Sequence, residues 1–516
     1  MNRKIIACAI MFGLLGISAS AQEAGSRVSQ IQDADTRDWW RIATDLSSDA
    51  MEGRDTGSPG YERAAQYVMK LFVQHGLKPA GEGGSYFQNI PLHEAQVVKD
   101  GTSFTVIHSA GGETPLAFLR QITVGAADDL PAALEAPLAF RGYCSKEELG
   151  DVKGKIAVCF DTKRTGMTLA FQRREAAIGA GAVGIVQVDD PYFSIEPPRW
   201  PFAYARALVT DRVTAPSGGF VTMTLSSSRL DDLLAGTGKS AADILDAGGH
   251  TRPLPAFDIP ARFRINLNLA KRELSSKNIL AVLPGTDPKL KDEYVVISAH
   301  LDGYGHGEPV NGDSLYNGTL DDAAYVGSLI QFAKRQQGRG LRRSILFAVF
   351  TGEEKGLLGA RWFTSHPTVP KEQLTADINL DMLRPLFPLN ILTTLAVDDS
   401  TLGQTVRDVA ASMKIEIRPD LEPERGLMTR ADHRPFLGIG VPAVGFIFGY
   451  DPGSDAEKRY REWYNVRYHR PQDDITQPMD FAAAAKFNAF FYKLTETVAD
   501  ADSRARWSDT SPFKPK

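Results

Sequence analysis

The 516-residue chain is poor in cysteine, with 3 in all. That excludes a small disulfide-built scaffold, and neither Cys144 nor Cys159 has the spacing of a cysteine zinc knuckle. Surplus charge is also scarce: 58 Lys and Arg stand against 63 Asp and Glu, a formal net charge of −5. No run of Lys and Arg forms a basic patch, which excludes a nucleic-acid surface. After the N-terminal segment no apolar run approaches the length of a membrane span. Internal repeats and long low-complexity tracts are absent. What is present is an ordinary globular composition, 43% apolar and 23% charged. The length predicts two or three domains at about 150 residues each.

The N-terminus reads as a targeting signal. "MNRK" is a short positive region, "IIACAIMFGLLGIS" is an apolar stretch too short to span a bilayer comfortably, and "ASA" is a small-residue cleavage site before Gln22. A signal peptide over 1–21 predicts a periplasmic or secreted protein with no membrane anchor after cleavage. Cys8 lies too early in the stretch for lipid attachment. The remaining pair, Cys144 and Cys159, is compatible with a disulfide in an oxidising compartment and equally with two buried, inert thiols.

Three textures follow along the chain. Residues 28–115 include "YERAAQYVMKLFVQHGL", whose apolar positions Ala65, Val68, Met69 and Phe72 have helical spacing, closed by Gly76. Residues 116–265 carry short strand-like runs ("LAFRGY", "KIAVCF", "VGIVQV", "FVTMTL") between Gly, Pro and Asp turns, which predicts a mostly β module. Within it, "YFSIEPPRWPFAYARA" reads as a cleft-facing or an ordinary exposed loop. Residues 266–505 alternate apolar strands ("YVVISA", "RSILFAVF", "ADINLDM", "PAVGFIF") with helical segments, which predicts an α/β fold with a mixed, mostly parallel sheet between helices. In such sheets the ligand site lies beyond the carboxyl ends of the strands.

That rule selects the candidate chemistry. "YVVISAHLD" delivers His300 and Asp302, "SILFAVFTGEE" delivers Glu353 and Glu354, and "ADINLDM" delivers Asp381. "NGTLDDAAYVG" places Asp321 and Asp322 before a helix, and "YHRPQDD" carries His469. Singly, each has a plain reading as a helix cap or an exposed polar residue. Together they form the imidazole and carboxylate set that Zn²⁺ uses in catalytic sites. Two adjacent glutamates at the end of a buried strand also require a compensating cation or proton.

The motifs "AHLDG", "VNGDSLYNGTLDDAA", "FTGEEKGLLGA", "NLDM", "ADHRPF" and "YHRPQDD" resemble the di-zinc aminopeptidases of the MH clan. That clan also holds glutamate carboxypeptidase II, glutaminyl cyclase and the transferrin receptor. "MEGRDTGSPG…AAQYVMKLFVQHGLKPAG" is similar to the family's N-terminal part. The block at 116–265, with "GDVKGKIAVC" and "AAIGAGAVGIV", resembles an inserted protease-associated domain.

The resemblance implies two zinc ions, or other divalent transition metals, with Asp321 bridging them. His300 and Asp381 would complete one site, Glu354 and His469 the other. Glu353 would act as general base on a water shared by the metals, and the peptide bond after Asp321 would be cis. Asp302 would orient His300, and Tyr468 would stabilise the tetrahedral oxyanion. Asp432 and His433 would support the site from behind, and His306 would lie in a loop near its entrance. Ala324, Tyr325 and Gly303 depart from the family pattern without removing a ligand, so they bear on pocket specificity.

The implied function is an exported aminopeptidase acting on peptides. The alternatives are a dipeptidase, carboxypeptidase or N-acyl amide hydrolase on the same site, for which Arg384, Arg425 or Arg430 would supply carboxylate recognition. Less favoured are a receptor-like binding protein and a glutaminyl cyclase.

Overall fold

The computed structural model describes residue 28 and residues 31–210, 217–381 and 383–515. The expected signal peptide lies outside the described residues. Two long antiparallel strands, Phe87–His108 and Ala256–Leu283, run through the molecule and pair along most of their length.

At one end, Ile279–Leu283 pairs antiparallel with the strand Ser344–Phe350. Tyr294–His300, Leu374–Asn379 and Ala443–Gly449 follow it in parallel order. Ile391–Leu395 then joins Ala443–Gly449 antiparallel. Ser344–Phe350, Leu374–Asn379 and Ala443–Gly449 are buried at every position, which is why the first and last read as largely apolar runs, while Leu374–Asn379 buries Thr375, Asp377 and Asn379 as well.

Alternate residues serve opposite faces of this sheet, as the two-residue period of a strand requires. Ile297 and Phe347 pack against Trp39, Val68, Leu329 and Phe487 of the helices Ala34–Leu46, Pro59–Gln74, Ala324–Gln336 and Phe481–Asp500. Val296, Leu346 and Ala348 face the other way, against Phe363 of Leu358–Ser365 and Phe436 of His433–Gly438. The result is an α/β/α sandwich, as expected. Tyr325 belongs to this core: its ring meets Phe487 edge-on and its hydroxyl donates to the Leu383 carbonyl at 3.0 Å. It shapes the core rather than a pocket.

At the other end, Ala256–Leu283 pairs antiparallel with Ala133–Arg141, which leads in parallel to Ile156–Asp161, Gly184–Asp189 and Val221–Leu225. A second apolar core gathers here, drawing on residues from Val97 to Leu267. The helix Ala170–Gly179 packs on these strands. Cys144 and Cys159 form a disulfide, with Cα atoms 5.5 Å apart. Ala256–Leu283 passes without a break from one core to the other, so both share one continuous sheet. Among the described residues, no helix is long and apolar enough to cross a membrane.

Candidate metal centre

Parallel neighbours bring their carboxyl ends out on one edge. His300 ends its strand opposite Phe350 of the next, so Glu353 and Glu354 emerge beside it. Asp381 follows Leu374–Asn379 on the other side. Asp321 arrives from a buried loop in which the Asp321–Asp322 peptide is cis. Asp473 holds that loop, its two carboxylate oxygens accepting the Leu320 and Asp321 N–H groups at 3.0 Å each. Arg54 holds it from below. Its buried guanidinium donates to the carbonyls of Leu46, Leu301, Asn317 and Gly318 at 2.6–2.9 Å. One side chain from the "MEGR" segment thus clamps the loops on both sides of His300 and Asp321.

The resulting arrangement is symmetrical about Asp321. Its Oδ1 lies 3.4 Å from His300 Nε2 and its Oδ2 lies 3.4 Å from His469 Nε2. Glu354 Oε2 is 3.2 Å from His469 Nε2, and Glu353 Oε2 is 3.9 Å from His300 Nε2. Two groups of ligand atoms result, Asp321, Glu354 and His469 on one side, and His300, Asp381 and Asp322 on the other. Asp322, one of the sequence candidates, had no ligand role in the set that the resemblance implies. Its Oδ2 already accepts the His300 backbone N–H at 3.1 Å, whereas Asp321 faces the imidazole itself.

The charge balance asks for a cation. Burial and the carboxylates of Asp381, Glu354 and Asp432 push the Glu353 carboxyl well above its ordinary range, against the pull of His300. Burial and Asp321 do the same to Glu354. Burial also raises Asp321, but Arg384 and the two imidazoles outweigh it and hold that carboxyl well below the usual range. Burial pushes the His469 imidazole down to about 3, the neutral form that a metal ligand needs. His300 Nε2 and Asp321 Oδ2 are buried and, among the described residues, have polar neighbours at 3.4–3.5 Å and no well-formed hydrogen bond. Such orphaned atoms are costly unless something occupies the space between them. Imidazole nitrogens and carboxylate oxygens fit zinc.

Residues 278–495, which hold every one of these ligand candidates, match peptidase family M28. The chain carries a peptidase family M28 domain. Among curated relatives, a probable zinc metalloprotease of Pyrenophora tritici-repentis is 27% identical over 263 residues, covering 45% of this chain and 58% of the relative. A probable leucine aminopeptidase 2 of Aspergillus oryzae is 25% identical over 251 residues, covering 45% of this chain and 47% of the relative. The chain thus spans about half the length of the curated relatives it matches. Two solved structures share the fold across nearly the whole chain. An aminopeptidase from Aneurinibacillus sp. strain AM-1 has a TM-score of 0.61 at 16% identity, covering 93% of this chain and 96% of its own. BSAP, a zinc aminopeptidase from Bacillus subtilis, has a TM-score of 0.56 at 16% identity, covering 93% and 98%.

Other residues of the M28 domain differ in detail from expectation. Asp302 does not receive the His300 N–H on its carboxylate. His300 Nδ1 lies 3.1 Å from the Asp302 backbone carbonyl, while the nearest carboxylate oxygen is 3.7 Å away. That carboxylate instead accepts from the Glu353 N–H at 3.0 Å and the Thr56 hydroxyl at 3.1 Å. Asp302 therefore holds the backbone at Glu353 as well as the His300 ring. Tyr468 stacks beside His469, with ring centroids 3.7 Å apart, and its hydroxyl accepts from Arg430 Nη2 at 3.1 Å. Asp432 and His433 are buried behind the site, and neither Asp432 carboxylate oxygen has a hydrogen-bond partner among the described residues. His306 lies exposed on a short strand, Gly305–Val310, rather than in a loop.

Several functional neighbours were not foreseen. Tyr304 places its hydroxyl 2.9 Å from His469 Nδ1. The Lys355 ammonium, next to Glu354, donates to the Tyr204 hydroxyl at 2.5 Å and lies over the rings of Tyr204 and Tyr304. Arg425 donates to the Tyr460 hydroxyl at 2.7 Å, so it is occupied away from the ligands. The loop from Glu196 to Ala203 does face the cleft. With Tyr304, Arg430, His469 and Arg470 it encloses a cavity of about 360 Å³ beside the metal centre. Only "YFSIEPPRWPFAYARA", rich in aromatics and proline, hinted at this from the sequence.

Proposed function

We propose that this chain is an exported di-zinc aminopeptidase that removes N-terminal residues from peptides. The observation that carries the reading is the Asp321 carboxylate, with one oxygen 3.4 Å from each of two imidazoles that approach from opposite sides. Asp321 would bridge two zinc ions, His300 and Asp381 completing one site, Glu354 and His469 the other. Bound there, zinc polarises a carbonyl oxygen and lowers the pKa of water.

The protein's own groups do the rest. Glu353, its backbone fixed by Asp302, takes the proton of the attacking water and returns it to the leaving amine. Arg430 donates into the Tyr468 oxygen, which leaves the phenolic proton free to point at an oxyanion. We divide the chain into a signal peptide at 1–21, a peptidase domain from 28–115 and 266–505, and a protease-associated insert at 116–265. Support for the insert comes from its separate core and its loop over the cleft.

The test is hydrolysis of matched free and N-acetylated peptides by zinc-loaded protein, with Glu353→Ala alongside and zinc measured in both. Trimming of free N-termini alone, abolished in a variant that keeps its zinc, supports the reading. Equal cleavage of acetylated peptides overturns the aminopeptidase assignment in favour of another amide hydrolase.

A further inference from the structure

The cavity over the metal centre is lined by as many cationic as anionic side chains, but three of the four carboxylates are satisfied by other groups. Lys163, Arg199, Arg430 and Arg470 line it. Of the carboxylates around them, Asp161 is paired with Arg173. Asp190 takes the Thr162 hydroxyl at 2.9 Å, Arg164 at 3.2 Å and the Tyr192 N–H at 2.9 Å. Asp189 takes the Trp200 indole N–H at 2.5 Å and the Ser227 N–H at 2.8 Å. That leaves Glu196 to serve Arg430 at 2.8 Å, Arg199 at 3.3 Å and Lys163 at 3.5 Å. One carboxylate cannot saturate three cations. Arg199 Nη1 is buried without a hydrogen-bond partner.

Arg199 is fixed and close to the chemistry. Arg199 lies over the Tyr468 ring, 4.5 Å from its centroid, and Tyr468 stacks on His469. The loop carrying Arg199 is tied down on its far side. Phe202 N–H donates to the Leu119 carbonyl at 2.8 Å, Arg470 donates to the Pro201 carbonyl at 2.7 Å, and Glu308 N–H donates to the Ala203 carbonyl at 2.8 Å. A guanidinium held in this way presents a planar fork that matches a carboxylate. A partly enclosed excess of positive charge is costly until an anion joins it.

We propose that Arg199, Lys163 and Arg430 form a carboxylate-binding subsite, selecting substrates that carry an anionic group next to the scissile bond. This rests on the peptidase reading of the neighbouring centre. The carboxylate comes either from an acidic side chain or from the C-terminus of a short peptide.

The experiment uses the zinc-loaded full chain and reads binding and turnover separately. Calorimetry compares glutarate with uncharged glutaramide, on wild type, Arg199→Gln and Lys163→Gln. The Lys163 side chain is about half exposed (52%), so that variant keeps the test open if Arg199→Gln misfolds. Glutarate should bind more tightly than glutaramide, and each variant should weaken glutarate by about 30-fold or more without moving glutaramide. Glutarate binding that both variants leave intact is binding at the metal ions alone and overturns the subsite, as does equal affinity for the two probes.

For the two sources, kcat/KM is compared between Glu- and Gln-4-nitroanilide, and between Ala-Ala and Ala-Ala-amide. A preference in the first pair that falls in the variants assigns the subsite to a side chain. A preference in the second assigns it to a C-terminus. If nothing is hydrolysed while glutarate binding still depends on Arg199, the peptidase reading fails and the carboxylate subsite stands.

Discussion

The guanidinium of Arg384 lies 3.5 Å from Oδ2 of Asp321, the carboxylate between the two imidazoles. Arg384 is fully buried, rests over the Trp463 ring at 4.4 Å, and donates to the carbonyls of Leu320 and Leu383 at 3.0 and 2.9 Å. A fixed cation thus stands beside the carboxylate that two metal ions would share. Arg384→Gln should destabilise metal-free protein by about 3 kcal/mol, because it leaves a buried carboxylate uncompensated. Zinc should recover the larger part of that loss. Denaturant midpoints with chelator and with zinc check this; an equal loss in both conditions would rule out the compensation.

Tyr304 orients His469. With Nε2 turned toward Asp321 and Glu354, the other ring nitrogen carries the proton and donates to the Tyr304 oxygen at 2.9 Å. Tyr304→Phe should weaken zinc at the His469 side by about 10–100-fold and leave the other site unchanged. A competitive zinc titration with two resolved steps reads this directly.

Arg54 joins four carbonyls, those of Leu46, Leu301, Asn317 and Gly318. Burial lowers its pKa to about 10, so it stays charged at neutral pH. Arg54→Met should cost at least about 3 kcal/mol in stability, since the loops at Leu301 and at Asn317–Gly318 lose their common donor. Chemical denaturation measures it, and a loss below about 1 kcal/mol would show that water replaces the guanidinium.

His93 carries a pH dependence away from the metal centre. On the long strand Phe87–His108, it contacts Glu273 at 2.6 Å and Asp128 at 2.8 Å, with Lys271 3.8 Å from Asp128. The bond to Glu273, and then that to Asp128, raises its pKa above 6.5. A raised imidazole pKa favours the folded state fully below 6.5 and loses that contribution as pH rises through the folded value. His93→Gln should therefore destabilise the protein by about 1 kcal/mol near pH 6 and by much less near pH 9. Paired urea melts at the two pH values test the sign.

Much of this centre was legible because strands and ligands announce themselves locally. "YVVISAH" and "SILFAVF" are apolar runs that only a doubly covered strand can bury, and polar residues directly after them must lie at the sheet edge. Boundaries were less legible. "KGLLGARWFTSH" reads as one helix, yet Gly356 and Leu357 have φ of 105° and 61°, and the helix starts at Leu358. The backbone there must turn sharply to carry Glu353 and Glu354 over the edge.

The sequence by itself determined the α/β alternation and which imidazoles and carboxylates follow the apolar strands, because each depends on residue type and spacing within one segment; their division into two metal sites came only from the resemblance. Tertiary structure alone decided that Arg54 and Asp473 would hold the Asp321 loop, that Arg384 would face Asp321, and that Glu196 and Arg199 would overhang His469. Those relationships join residues far apart in the chain. A buried arginine differs from an exposed one only in the carbonyls and carboxylates that folding brings to it.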